Sequence, residues 1–371
     1  MRVLHLVGLD GDRGGVLSVL RNLQEVTGDR VEHVAWMNAR FHQTRTPALD
    51  CRRSIWARGE GVSKAGYLLG ALPAFVAIKR LLARERFDVV HAHTRGALLP
   101  AVLLARQGRP VVFTNHNYAR SARSLYRWAA HQRGMNTVLL SPSMAEHYGI
   151  DPVADRVRLI PAFCSDRYFD APLRDREPWS GRTIRLTGLG MLVRWKGWHT
   201  VCEALAVLDP EDRERFSFDH YGTETDTSYV GELRDHATRF GLSASVQFHG
   251  ATDDVDAVLS ATDLLVHPAV DDPFPVAVLE ALASGLPAIV TASGGPREVV
   301  EHGRTGLVFA PGDARVLAGH LRSIARGEWT AAEPRAIRDS VRHLGATTVA
   351  NQYLDLYNEL AGADAAIGHG R

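Results

Sequence analysis

Residues 271–300 read DDPFPVAVLEALASGLPAIVTASGGPREVV. The stretch parses as loop, helix, loop, strand, glycine-rich loop and helix. Pro275 suits a first helical position, where its missing N–H would have no partner. Val276, Leu279 and Ala283 then recur at helical spacing until Ser284-Gly285 stops the helix. Residues 287–290 form a short apolar run of buried-strand type, and Gly294-Gly295-Pro296 opens another helix. Asp272 precedes Glu280 by eight residues, so about two helical turns separate two carboxylates. Glu280 lies inside a helix that otherwise reads as buried. A buried Glu is costly unless something bonds it, which makes Glu280 a site candidate.

Working outward, the same alternation of short apolar strands and amphipathic helices recurs along the whole chain. Residues 3–7 are a strand. Gly8-Leu9-Asp10-Gly11-Asp12-Arg13-Gly14-Gly15 follows, then a helix with Val16, Val19, Leu20 and Leu23 on one face. Glycines let the backbone approach a ligand, and a helix start presents free N–H groups. The spacing is neither GxGxxG nor a P-loop, so a plain βα turn stays open beside a phosphate cradle. Residues 31–36 are a strand. Residues 38–66 lack a period and carry Arg40, Arg45, Arg52, Arg53 and Arg58. They read as a variable surface loop and a candidate for ligand recognition.

Residues 67–86 read as a helix, and residues 88–93 as a strand ending in His91 and His93 on one face. Such a pair can ligate a metal, but no nearby cysteine or carboxylate cluster completes a site, and none is expected. Residues 110–114 are the next strand. It leads into His116, which stands where open α/β sheets gather their ligand-binding residues. Residues 118–133 carry Arg120, Arg123, Arg127 and Arg133 with Leu125, Tyr126 and Trp128, a basic amphipathic helix. Residues 136–140 and 157–160 are strands, and Ser141-Pro142-Ser143 opens a helix. Residues 161–181 hold three prolines and no period, so the linker is placed there.

The second half restarts the pattern. Residues 184–189 are a strand, Gly190-Met191-Leu192-Val193-Arg194-Trp195-Lys196-Gly197 follows, and a helix spans 198–208. Two cations and two glycines between a strand and a helix fit a diphosphate clamp, with a solvated turn as the alternative. Residues 216–221 and 246–250 are strands. Asp253-Asp254-Val255-Asp256 resembles a metal motif but reads as a capped helix start, where acids favour the helix dipole. Residues 263–267 form a buried strand leading into 271–300. A helix over 335–361 carries Tyr353, Leu354, Tyr357 and Leu360 at helical spacing, and GADAAIGHGR at the end reads as unstructured.

With 371 residues two domains are expected, over 1–165 and 166–345, with a tail helix over 346–371. Alternating strands and helices with two glycine-rich turns predict α/β, doubly wound domains. Hydrophobic content of 45% and charged content of 23% suit a soluble globular chain. Cys51, Cys164 and Cys202 are too far apart for a disulfide framework or a zinc site. The start does not read as a signal peptide. No apolar run approaches the ~18 residues of a span; the longest, 67–78, contains Pro73 and ends in Lys79-Arg80. The expected location is cytoplasmic. Residues 1–165 hold 23 lysines and arginines against 12 acids, and the remainder 20 against 30. The basic half suits a phosphate-rich or acidic partner or an anionic membrane surface, or two domains of opposite sign simply face each other.

Asp272-x7-Glu280, continued through Ala281-Leu282-Ala283-Ser284-Gly285-Leu286-Pro287 to Gly294-Gly295 and Glu298, resembles the acidic-x7-Glu signature of the retaining glycosyltransferases of family 4 (glycosyl transferases group 1). The resemblance covers nearly the full length. Lys196-Gly197 is similar to the end of that family's Gly-Arg-x4-Lys-Gly, Thr114-x-His116 to its Thr-x-His, and residues 246–250 to its V-x-F-x-G strand. Residues 161–165 resemble its linker, with Ala162 and Ser165 at the usual Asn and Asp positions. It implies the GT-B fold: two Rossmann-like domains facing across a cleft, with the C-terminal helix crossing back to the first.

The resemblance also implies a nucleotide-diphosphate-sugar donor, UDP or GDP, with no metal and no cofactor. Lys196 would neutralise the diphosphate, Glu280 would hold the ribose, and Asp272 and His116 would orient the sugar, His116 as a neutral donor to a hydroxyl. Gly14, Gly15, Phe248, Gly250, Phe274, Val276 and Ala277 would complete the donor contacts. Three positions depart from the pattern. Asp272 replaces Glu, Pro275 replaces Gly, and Met191 stands where Arg is usual, with Arg194 expected to supply the missing charge. The implied acceptor is a glycan, a lipid-linked glycan or a small molecule, and no nucleic acid. An epimerase or hydrolase on the same fold, and an inactive binding or regulatory protein, are the alternatives.

Overall fold

The computed structural model describes residues 1–12, 14–45, 47–59, 64–119, 122–153, 157–173 and 179–368. The chain divides into two units, Met1–Cys164 with Ala346–Arg371, and Ser165–Gly345. In the first, β1 (Arg2–Leu6), α1 (Gly15–Thr27), β2 (Glu32–Asn38), β3 (Asp50–Ser54), α2 (Lys64–Arg84), β4 (Val89–Ala92), α3 (Arg95–Arg106), β5 (Val111–Asn115), α4 (Arg123–Ala130), β6 (Met135–Leu139), α5 (Pro142–Tyr148) and β7 (Val157–Leu159) follow in order. The strands form one parallel sheet, β3-β2-β1-β4-β5-β6-β7.

The second unit begins with α6 (Arg167–Asp170), β8 (Ile184–Leu189), α7 (His199–Ala206), α8 (Pro210–Arg213), β9 (Phe216–Tyr221), α9 (Thr227–Arg239) and β10 (Val246–Phe248). It continues through α10 (Val255–Ser260), β11 (Leu264–His267), α11 (Val276–Ala283), β12 (Ala288–Thr291), α12 (Pro296–Val299), β13 (Gly306–Phe309), α13 (Ala314–Ala325) and α14 (Pro334–Ser340). Its parallel sheet runs β10-β9-β8-β11-β12-β13. In each sheet the order reverses beside the unit's first strand, and the crevice past the strand ends at that point is the usual ligand site of a doubly wound sheet.

The helix α15 (Ala346–Gly368) belongs to the first unit. Val349, Ala350, Tyr353, Leu356 and Tyr357 join Val19, Leu23 and the strand residues Val3, Val89, Val112 and Val138 in one apolar core. Deep burial of such aliphatic groups contributes about 1.5–3 kcal/mol each. The second unit's core gathers Leu186, Trp198, Val201, Leu205, Phe218, Leu233, Val266 and Ile289.

The structure departs from the sequence reading in several places. The aperiodic stretch 38–66 contains a strand, β3, whose sequence DCRRS lies at the sheet edge beside β2. Arg52 there is anchored to Glu85 and Asp50, so polar residues complete the edge where an apolar period is not needed. Pro73 does not break α2, which is long and apolar enough by length and composition to cross a membrane. Pro275 is the cap of α11 rather than its first residue; its carbonyl accepts from Val278 and Leu279. Helix α15 continues to Gly368, through most of the tail expected to be unstructured. Asp254 caps α10 through Ala257 N at 2.9 Å, the role read for that acidic run. Arg13, Arg120 and residues 174–178 of the linker lie outside the described residues.

Candidate active site

In the second unit the site grows from the turn after β8. Just past the neighbouring β9, Gly222 is glycine because the backbones close in: a Cβ there would lie 1.6 Å from the Gly190 carbonyl oxygen. A short 3₁₀ turn, Arg194–Lys196, follows and ends on Gly197 at φ 71°. A Cβ on Gly197 would lie 2.3 Å from the Pro268 carbonyl oxygen, so the turn rests directly on the segment after β11. Val270 N donates to the Trp195 carbonyl at 2.8 Å and fastens the two.

This places Lys196 against Asp272. The ammonium Nζ donates to Asp272 Oδ2 at 2.6 Å, and His267 Nε2 lies 2.9 Å from the same oxygen. The Lys196 and Asp272 side chains are 12% and 7% exposed. Burial alone would raise the Asp272 pKa, but Lys196 and the His267 hydrogen bond outweigh it and hold the carboxylate well below the usual range. Burial, then Lys196, lowers the His267 pKa. His267 is thus neutral and donates Nε2–H, and its Nδ1 is buried without a partner among the described residues. The backbone of Asp272 is held as well. Its carbonyl accepts from Gly295 N at 3.1 Å, and Gly295 must be glycine because a Cβ would meet Pro273 O at 2.2 Å.

Phe274 is buried and Val276 and Ala277 are half-buried at the start of α11, whose first amides point out of the helix end. Glu280 is half-buried rather than buried. Its charge acts on Tyr168 and Arg167 of α6, raising the Tyr168 pKa after burial has done so. Half-buried Phe248 ends β10, and the carbonyl of Gly250, at φ 75°, accepts from Gly222 N at 2.7 Å. Arg194 does not join this group. Its guanidinium binds Glu232 of α9 at 2.5 and 2.7 Å and lies over the Tyr229 ring. One nitrogen, Nη2, reaches both carboxylate oxygens, and this charge-assisted pair takes the charge away from the Lys196 turn. His267 is the residue that sequence reading missed; its signal was a polar ring ending a buried strand.

In the first unit, Gly14 at φ 117° caps α1 and Gly15 begins it. Among the described residues, a Cβ on either would meet nothing within 4 Å. Asp12 beside it is buried on Arg21 and on the amides of Thr44 and Arg45. His116, just past β5, is half-buried and bonded through Nε2 to His93 Nδ1 at 3.3 Å. Burial pulls its pKa down to about 4, so the ring is neutral.

Two family models match the chain: "Glycosyltransferase Family 4" over residues 15–164 and "Glycosyl transferases group 1" over residues 172–342. Among curated proteins, mannosylfructose-phosphate synthase of Agrobacterium fabrum is 29% identical over 183 residues, 46% of this chain and 39% of that protein. The match therefore spans about two fifths of that relative's length. Sucrose-phosphate synthase of Thermosynechococcus elongatus superposes with a TM-score of 0.81 at 19% identity, covering 98% of this chain and 100% of the other. HepE of Anabaena, solved in complex with UDP-glucose, superposes at 0.75 and 19% identity over 97% and 100%. Both halves matched, the chain belongs to the group-1 glycosyl transferases, family 4, with the GT-B fold.

Proposed function

We propose that this glycosyltransferase is a retaining enzyme that moves a hexose from a nucleotide diphosphate to a glycan, lipid-linked or small-molecule acceptor without a metal. The observation carrying the reading is the buried Lys196–Asp272 pair at 2.6 Å, past the ends of β8 and β11. A lysine ammonium has three N–H donors. Asp272 takes one, leaving donors for a departing diphosphate, while the first amides of α11 add partial positive charge. Fixed donors of this kind in a dry site contribute several kcal/mol to stabilising leaving-group charge. The second Asp272 oxygen would accept sugar hydroxyls, and Glu280 would take the ribose.

Support for a UDP-linked donor comes from the fold neighbour HepE, solved with UDP-glucose. Support for a lipid-linked acceptor comes from α2, where Leu68, Leu69 and Leu72 are more than half exposed ahead of Lys79, Arg80 and Arg84. That pattern suits peripheral contact with an anionic membrane, and we place the enzyme in the cytoplasm at that surface.

Thermal-shift measurement against UDP, GDP and ADP identifies the base, because a ligand at a hundred times its Kd adds about 2.7 kcal/mol. Transfer from the matching nucleotide sugar, with the product anomer read by NMR and EDTA present, then tests mechanism. Product with the donor's anomeric configuration is expected. An inverted product, or loss of transfer with EDTA, refutes the reading. Turnover without acceptor assigns an epimerase or hydrolase, and binding without turnover a regulatory protein. Vesicles containing anionic lipid are expected to pull the protein down at low salt, and vesicles that leave it in solution refute the membrane contact.

A further inference from the structure

A row of histidines crosses the first unit's sheet. His33 on β2, His5 on β1, His93 just past β4 and His116 just past β5 stand on adjacent strands. Their rings meet head to tail: His33 Nδ1 to His5 Nε2 at 2.9 Å, His5 Nδ1 to His93 Nε2 at 2.9 Å, and His93 Nδ1 to His116 Nε2 at 3.3 Å. The row starts at the buried Thr27 of α1. Its Oγ1 lies 2.8 Å from His33 Nε2 and 2.7 Å from the Leu23 carbonyl oxygen.

That last contact sets the direction. A carbonyl oxygen can only accept, so the single Thr27 hydroxyl proton goes to Leu23 and its lone pair faces His33. His33 must donate from Nε2. Burial lowers the pKa of His33 to about 4 and that of His5 and His93 well below the usual value, so each ring is neutral and carries one donor and one acceptor. His33 Nδ1 therefore accepts from His5 Nε2–H, His5 Nδ1 from His93 Nε2–H, and His93 Nδ1 from His116 Nε2–H. His116 has spent its only proton. Its Nδ1 is a lone pair with no partner among the described residues.

His5, His91 and His93 also offer ring nitrogens within 4.8 Å of one another, a spacing that could hold a metal ion. Those of His5 and His93 are spent along the row, and His91 is bonded to Tyr357 OH at 2.6 Å and to Thr114 Oγ1 at 2.8 Å. A bound ion would have to break these bonds, so the cluster is satisfied by hydrogen bonding.

We propose that the row is a tautomer relay that fixes His116 as a hydrogen-bond acceptor toward the substrate, so that a ligand hydroxyl donates to Nδ1. This rests on the reading that places His116 beside the donor sugar, and it reverses the donor role expected from the sequence. Thr27, His33, His5 and His93 are positioning residues. The relay favours a ligand with a hydroxyl at that point over one that can only accept.

The test is a long-range proton–nitrogen correlation spectrum of the full chain, labelled with 15N-histidine, at pH 7.5 without ligand. All four rings are expected as the neutral Nε2–H tautomer. An Nδ1–H tautomer or an imidazolium at any of them overturns the relay. Thr27→Val is expected to give His116 mixed tautomers and to weaken UDP-glucose binding about tenfold, whereas Thr27→Ser keeps both as in the parent. An unchanged His116 signal in folded Thr27→Val overturns the relay. If the parent chain does not bind UDP-glucose, the sugar reading fails for that donor, and the spectrum still decides the relay by itself.

Discussion

Lys196 Nζ and Asp272 Oδ2 lie 2.6 Å apart, both side chains nearly closed to water, with His267 donating to the same oxygen. The lysine read from the sequence as a phosphate clamp and the aspartate read as a sugar contact are therefore one electrostatic unit. Lys196→Met leaves a buried carboxylate with a single neutral donor. Breaking such a pair on one side destabilises by about 3–5 kcal/mol, and UDP-glucose affinity is expected to fall at least tenfold. Lys196→Met with Asp272→Asn is expected to recover much of the stability and none of the affinity. Urea unfolding and calorimetric titration of the four proteins of this cycle measure both, and additive stabilities would contradict the coupling.

Arg194 lies on the same turn as Lys196 and faces away from it, onto Glu232. The pair is exposed, and solvent screens exposed pairs so that they contribute little to stability. Arg194→Ala is expected to leave the UDP-glucose Kd within about twofold of the parent and to leave stability nearly unchanged. A sharp loss of donor affinity in titration would return Arg194 to the diphosphate.

The strand and helix pattern was legible because parallel strands buried on both faces read as short apolar runs, and helices between them carry one apolar stripe. Strand β3 was not, because an edge strand needs no apolar period and DCRRS satisfies itself with ion pairs. The fate of Arg194 was hidden too. Spacing puts two cations on one turn, and only the fold brings Glu232 from α9 to claim one of them. The histidine row was half visible: His91, His93 and His116 stood out at strand ends, while His5 and His33 sat inside apolar runs. Their meeting depends on strand order, which joins residues 28, 88 and 23 positions apart.

The row also makes the protein sensitive to acid. His33 has an ordinary pKa of 6.5 when unfolded and about 4 when folded, lowered by burial, and His116 shifts the same way. Between those values the unfolded chain binds more protons, so stability falls as pH drops from 6.5 toward 4 and is flat, on this account, above 6.5. His33 alone contributes about 3 kcal/mol across that window. Urea unfolding at pH 7.5, 6 and 5 is expected to show a progressive loss, with uptake of about two protons or more at pH 5. Equal stability at pH 5 and 7.5 would mean these rings are charged, or free to be, in the folded chain.

Pro275 stands where the resemblance to family 4 leads one to expect glycine, one residue before α11, and its nitrogen has no proton to give. Its φ of −78° suits proline, so Pro275→Gly releases an unstrained ring and enlarges the freedom of the unfolded chain, a loss of about 1 kcal/mol. The same change restores an amide donor beside Asp272. A sugar or distal phosphate that reaches this helix start would use it, so Pro275→Gly is expected to lower the melting temperature by a few degrees and to tighten UDP-glucose binding severalfold. Pro275→Ala restores the amide with less backbone freedom, and should keep the tighter binding at a smaller stability loss. If both variants bind UDP-glucose as the parent does, no ligand group lies within reach of residue 275, and the donor sits deeper toward Lys196.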